Sequence, residues 1–263
     1  MTFHASVLQD SKTMLRRNLR HAVRYPSMAL GTVVMPAALL LLFVFAFGDV
    51  MGKGLAGSTG NGSYVDYLSP GVCLLAIAAN AMVTSVSVAV DMTRGIINRF
   101  RTMAIARSSV LTGHVLGSVI QAVASVILVL LTAIVAGFRP TAGVLGWLGA
   151  LGLLALVSFA LSWIAVCLGL VAKTVSTASN TPMVLQIFPF LSSAFVPASS
   201  MAPGIRWFAE YQPFTPINET VRSLLTGNHI GNDWILALAW CVVISAVGYA
   251  WARALFRRDP RTT

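Results

Sequence analysis

Residues able to do chemistry are sparse in this chain, and their spacing excludes most of it. The 263 residues hold four histidines (His4, His21, His114, His229), three cysteines (Cys73, Cys167, Cys241) and only eight carboxylates. The histidines are scattered, with no spacing that would close a metal shell. Each cysteine lies inside an apolar run without a CxxC partner, so all three read as small buried hydrophobes. There is no GxxxxGK[ST] loop, GxSxG, HExxH or carboxylate pair. The chain therefore does not itself hold ATP in a P-loop, and no catalytic residue, metal or cofactor is expected on it.

What remains is a concentration of charge. Residues 91–113, DMTRGIINRFRTMAIARSSVLTG, form a long internal basic stretch between two apolar runs. Arg94, Arg99, Arg101 and Arg107 carry the charge. Ile96, Ile97, Phe100, Met103, Ala104 and Ile105 supply an apolar face. Phe100, Met103 and Ala104 fall at helical spacing, which predicts a short amphipathic helix. Two readings stay open: a surface on which another protein pushes, or a loop that sets topology and meets lipid headgroups.

The elements around this stretch are membrane spans. The chain is 57% hydrophobic and 10% charged, against roughly 25% charged for a soluble domain. It reads as an all-α, polytopic membrane protein, multi-pass in a cell membrane. Apolar runs predict six spans, at 28–47, 67–90, 115–138, 144–171, 182–199 and 234–251. The first run is too long for a signal-peptide core. Residues 1–27, with Arg16, Arg20 and Arg24 recurring every four positions, predict an amino-terminal interfacial helix ended by Pro26. Residues 48–63 read as a Gly/Ser/Asn-rich loop, with Tyr64 and Tyr67 as interface anchors beyond it. Residues 201–233 are apolar in patches but broken by prolines and charges. They predict two short helices re-entering the outer interface. The membrane-spanning body is 28–252, and 253–263 is a basic tail. With this topology 14 of the 18 basic residues fall inside and four outside, so both termini are placed in the cytoplasm. The net charge of +10 is thus a topology and headgroup signal, and no nucleic-acid partner is expected.

The predicted span interiors lack fixed charge, so an energy source outside this chain is expected. Asn80, Gln121 and Gln186 are the main polar residues there and read as helix–helix glue. Gly143, Gly146, Gly149 and Gly152 step by three, for close packing within the chain or between subunits.

The order of these features resembles a type-2 ABC transporter permease, of the daunorubicin/doxorubicin-resistance-like exporter family. Three stretches carry it: Arg94-Gly95-Ile96-Ile97 with Arg99-Phe100-Arg101 and Arg107; Leu191-Ser192-Ser193-Ala194-Phe195-Val196-Pro197; and Gln212-Pro213-Phe214-Thr215 with Arg222-Ser223-Leu224-Leu225-Thr226-Gly227. The family often has an acidic residue where Asn98 stands and a proline where Ala104 stands. The resemblance implies two permease chains, identical or different, above two separate P-loop ATPase subunits that use ATP and magnesium. It implies a coupling helix contacting the ATPase through Arg94, Asn98, Arg99, Phe100, Arg101, Met103 and Arg107. It also implies an amphipathic or hydrophobic cargo: a drug, polyketide or lipid-like compound. Trp207, Phe208, Tyr211, Phe214, Glu219 and Arg222 are candidates for an outer gate, or else for an aromatic belt. An ATP-independent carrier or channel, and a membrane scaffold, are the alternative readings.

Overall fold

The computed structural model describes residues 26–55, 63–93 and 107–257 together with Arg16, with side chains at 30–52, 63–93 and 111–255. The interfacial helix read over 1–27, the tail beyond 257 and residues 94–106 of the basic stretch lie outside them. Among the described residues nine α-helices follow in order: α1 (Pro26–Leu55), α2 (Tyr64–Thr93), α3 (Arg107–Val135), α4 (Val144–Val171), α5 (Val175–Asn180), α6 (Met183–Phe190), α7 (Pro203–Tyr211), α8 (Phe214–Thr226) and α9 (Asp233–Arg257). The described residues contain no strand. In a membrane the backbone must satisfy its own polar groups, and the helix does so within one segment. Among the described residues, five helices are long and apolar enough to cross: Leu30–Gly52, Tyr64–Thr93, Leu111–Val135, Val144–Val171 and Asp233–Leu255.

The bundle is built around α2. Its most apolar window is 78% buried, against 17% for α1 and 22% for α9, so α2 is the core and those two are the flanks. Small residues let its neighbours approach. A Cβ on Gly169 of α4 would lie 2.6 Å from the Ser85 carbonyl of α2, and one on Gly71 would lie 2.4 Å from the Ala194 Cβ. Glycine at these positions is a packing requirement.

The stretch read as a fifth span, 182–199, is not one long helix. Thr181 closes α5, Pro182 precedes α6, and a 3-10 turn follows at Ala198–Ser200. Eight-residue α6 is about 12 Å long at 1.5 Å per residue. Proline is the reason: Pro182 cannot donate to the helix before it, and Pro189 weakens the last turn of α6. The broken segment nonetheless runs beside α2 over more than half of its length. Ala178 packs with Val86 and Ala89, Gln186 Nε2 lies 3.9 Å from Met82 Sδ, and Ala194 meets Gly71. From Ala89 to Gly71 is about 27 Å along the helix axis.

Other boundaries shift. Helix α1 continues through Gly48 and Gly52 to Leu55, where a loop is expected from composition. Helix α3 begins at Arg107, inside the basic stretch, and ends at Val135. The chain turns at Gly137 with φ 109, a left-handed conformation that suits glycine, and fully buries Phe138. Tyr64 and Tyr67 are 4% and 6% exposed, so they pack inside the protein instead of anchoring at an interface.

Candidate functional site

Two polar clusters mark the two ends of α2. At the end leading to residues 94–106, Asp91 on α2 faces His114 on α3, with Nε2 to Oδ2 3.1 Å and side chains 4% and 10% exposed for His114 and Asp91. A buried ionisable pair this close to a membrane span is costly, which makes it a candidate for function. Further along the same helix faces, Asn80 donates to the Ser118 carbonyl at 3.0 Å and the Ser118 hydroxyl at 2.9 Å. Thr84 lies 2.6 Å from that hydroxyl, and Ser162 of α4 donates to it at 2.8 Å. His114, Ser118 and Ser125 follow at spacings of four and seven on α3, and Ser125 meets Thr32 of α1 at 3.0 Å. This polar seam ties α1, α2, α3 and α4 together through hydroxyls and one amide. Asn80 is thus helix–helix glue, as its position in an apolar run suggests.

At the opposite end, Arg222 of α8 is a clasp. Its Nε and Nη2 donate to the Tyr67 carbonyl at 3.2 and 3.1 Å, and Nη2 donates to the Ser193 carbonyl at 2.9 Å. Glu219 pairs with it at 2.6 Å, and its guanidinium lies 3.7 Å from the Tyr67 ring centroid. The Ser193 carbonyl also accepts from the Tyr67 hydroxyl at 2.8 Å and from Asn218 at 3.2 Å. The planar fork of arginine suits this geometry, since it can serve two carbonyls and stack at once. The clasp joins the start of α2, the turn after α6, and α8. Helix α8 ends at Gly227, φ 68, whose left-handed conformation closes it before the loop to α9.

The residues singled out from sequence fall into separate groups. Arg94, Asn98, Arg99, Phe100, Arg101 and Met103 lie outside the described residues, and Arg107 is the first residue of α3 with its side chain outside them. Glu219 and Arg222 belong to the clasp. Phe208 and Phe214 both pack on Phe188, with centroids 6.0 Å away in each case. Trp207 and Tyr211 pair with each other at 5.5 Å and are 66% and 68% exposed on α7. Gly146 and Gly149 both face Leu224 of α8, so these two serve packing within the chain. The sequence does not show that Asp91 pairs with His114 or that Tyr67 joins Ser193 in the clasp. Their signal is weak: Asp91 and His114 stand 23 positions apart, one on each flank of the basic stretch.

A helical bundle of this kind, with five apolar helices long enough to cross and an interior held by hydroxyl and amide bonds, is a polytopic membrane protein. The chain belongs to the ABC-2 type transporter family, whose model matches residues 9–226. It is 29% identical over 240 residues to the daunorubicin resistance ABC transporter permease protein DrrB1 of Streptomyces coeruleorubidus, covering 90% of this chain and 82% of that one. It is 25% identical over 258 residues to the probable doxorubicin resistance ABC transporter permease protein DrrC of Mycobacterium tuberculosis, covering 94% and 89%. ABC transporter G family member 20 of Dictyostelium discoideum is 27% identical over 196 residues, 70% of this chain and 26% of that longer protein. The resemblance drawn from the three sequence stretches is therefore to the right family, and the chain is a multi-pass membrane permease of the ABC type.

Proposed function

We propose that this chain is the membrane subunit of an exporter powered by a separate P-loop ATPase, which docks on the 91–113 stretch from the cytoplasm. The observation that carries the reading is the fastening of α2 to α3 at the base of that stretch. The Asp91–His114 pair and the Asn80–Thr84–Ser118 bonds make the two helices one body. A push delivered through Arg94, Asn98, Arg99, Phe100, Arg101, Met103 and Arg107 then moves both, instead of bending the loop. Phe100 is the apolar anchor of the contact, because buried aromatic residues dominate interfaces.

The run of Ala178 to Ala194 along α2 supports a sixth, broken crossing made by α5 and α6. Six crossings leave both termini on one side of the membrane, and the 14-to-4 excess of basic residues supports the cytoplasmic side. Helices α7 and α8 then lie at the outer face, held by Arg222. Their packed aromatics Phe208 and Phe214 form the gate, while Trp207 and Tyr211 rest in the interface. The cargo is amphipathic or hydrophobic, carried between two permease chains, because the charged residues of the crossing helices (Asp49, Asp66, Asp91, Asp233 and Arg253) lie near their ends and leave the middles apolar.

The test is ATPase stimulation in reconstituted vesicles. Permease with its ATPase hydrolyses ATP faster than the ATPase alone, and Phe100→Ala removes the increment with insertion intact. Unchanged stimulation in that variant refutes the docking assignment.

A further inference from the structure

A groove of about 440 Å³ lies between α4, α8 and α9, lined by Gly152, Leu156, Thr220, Leu224, Trp234 and Leu238 among others. Its size is that of an ordinary ligand site. Two glycines build it and a third keeps it open. A Cβ on Gly146 would lie 2.5 Å from the Leu224 carbonyl oxygen, and one on Gly149 would lie 3.2 Å from Leu224 Cδ2, so these two set the crossing of α4 and α8. A Cβ on Gly152 would meet nothing within 4 Å. Packing does not require glycine there; its missing side chain leaves the space.

The chemistry of the lining selects the occupant. The Thr220 hydroxyl already donates to the Pro216 carbonyl at 2.7 Å. An ordered water needs two to four polar partners, and this wall does not supply them. The mouth opens on an exposed apolar flank. Leu145 and Leu148, one helical turn from Gly149 and Gly152, are 84% and 62% exposed, and Val242, one turn beyond Leu238, is 61% exposed. Gly149 to Leu156 lie about 8–18 Å in from the start of α4, a depth that a chain hanging from the membrane surface reaches.

We propose that this groove is a lateral site for one acyl chain of a phospholipid, its headgroup at the 227–233 loop. The chain gains no hydrophobic free energy by leaving other lipid. It gains dispersion contacts that a straight lipid-facing surface does not offer. Because Leu224 forms one wall, the occupied groove also supports α8 from the side opposite Tyr67 and Ser193. The site depends only on membrane embedding, not on the ATPase-driven reading.

The full chain, reconstituted in phosphatidylcholine vesicles with a phospholipid carrying a mid-chain diazirine, tests this after photolysis and peptide mapping. Adducts at Leu156 and Leu238 exceed those at exposed Met35 and Phe45 of α1 by about fivefold. Gly152→Phe fills the groove and lowers the α4 and α9 adducts to the α1 level, leaving α1 adducts and thermal melting unchanged. Leu238→Trp fills it from the opposite wall and serves if Gly152→Phe fails to fold. Equal labelling of groove and α1, or labelling that survives both substitutions, overturns the proposal. So does displacement of the lipid probe by the amphiphilic cation rhodamine 6G at micromolar concentration, which makes the groove a site for free amphiphiles. Disulfide formation by Gly152→Cys with a second copy also overturns it, by making the groove a subunit contact.

Discussion

Arg222→Ala tests the clasp. The substitution removes charged donors from two carbonyls, those of Tyr67 and Ser193, together with a stacked guanidinium. A hydrogen bond to a charged group contributes about 1.5 kcal/mol or more net, so two acceptors amount to about 3 kcal/mol. Glu219, whose side chain is 35% exposed, recovers solvation and adds little to the loss. In a chain of this size about 3 kcal/mol lowers the melting temperature by roughly 6–12 °C. Arg222→Lys keeps the charge but not the fork, so its loss is about half. The matched control is Arg206→Ala. That residue pairs with Glu210 at 2.7 Å, but the side chains are 50% and 43% exposed. An exposed i,i+4 pair contributes about 0.3–0.5 kcal/mol, so this variant melts within roughly 2 °C of the wild type. The assay is thermal unfolding in lipid nanodiscs with hydrogen exchange of α8, which loses protection in Arg222→Ala alone. Equal melting of Arg222→Ala and wild type, or equal losses in both alanine variants, refutes the reasoning.

Three further outcomes follow from packing and polar contacts. Gly71→Ala drives a Cβ to 2.4 Å from the Ala194 Cβ and 2.9 Å from its Cα, and destabilises by about 1–3 kcal/mol, whereas Gly31→Ala meets nothing and is silent; melting curves of the two separate them. Asn80→Leu leaves the Ser118 carbonyl and hydroxyl without their amide donor and lowers stability by about 0.6–1.7 kcal/mol, read by denaturation in mild detergent. Trp207→Ala with Tyr211→Ala touches only the exposed pair on α7, so export stays within about twofold of wild type in a vesicle flux assay.

The apolar runs of α1, α2, α3, α4 and α9 were legible in the sequence because a span has one dominant requirement, some twenty apolar residues. The broken course of α5 and α6 was not legible, because mean hydropathy does not register what Pro182 and Pro189 do to a helix. Charge pattern pointed to 91–113 and the family resemblance to Arg222, but neither pointed to the partners found at Arg222 or at Asp91. Tyr67 looks like an interface anchor in one dimension and proves to be the floor beneath Arg222. Asp91 and His114 meet only once α2 and α3 pack side by side. The four-glycine series was ambiguous for a related reason: Gly146 and Gly149 pack against Leu224 while Gly152 opens a groove, and spacing alone treats them as equivalent.

The most direct test of the ATPase-powered reading is recovery of the chain from its native membrane in a mild detergent, with mass spectrometry of the proteins that accompany it. The account predicts a co-purifying P-loop ATPase that is lost when Phe100 and Arg101 are both replaced by alanine, with the permease still in the membrane. Recovery of intact permease without any ATPase, in a detergent that preserves other membrane complexes, contradicts it and points to a carrier that works alone.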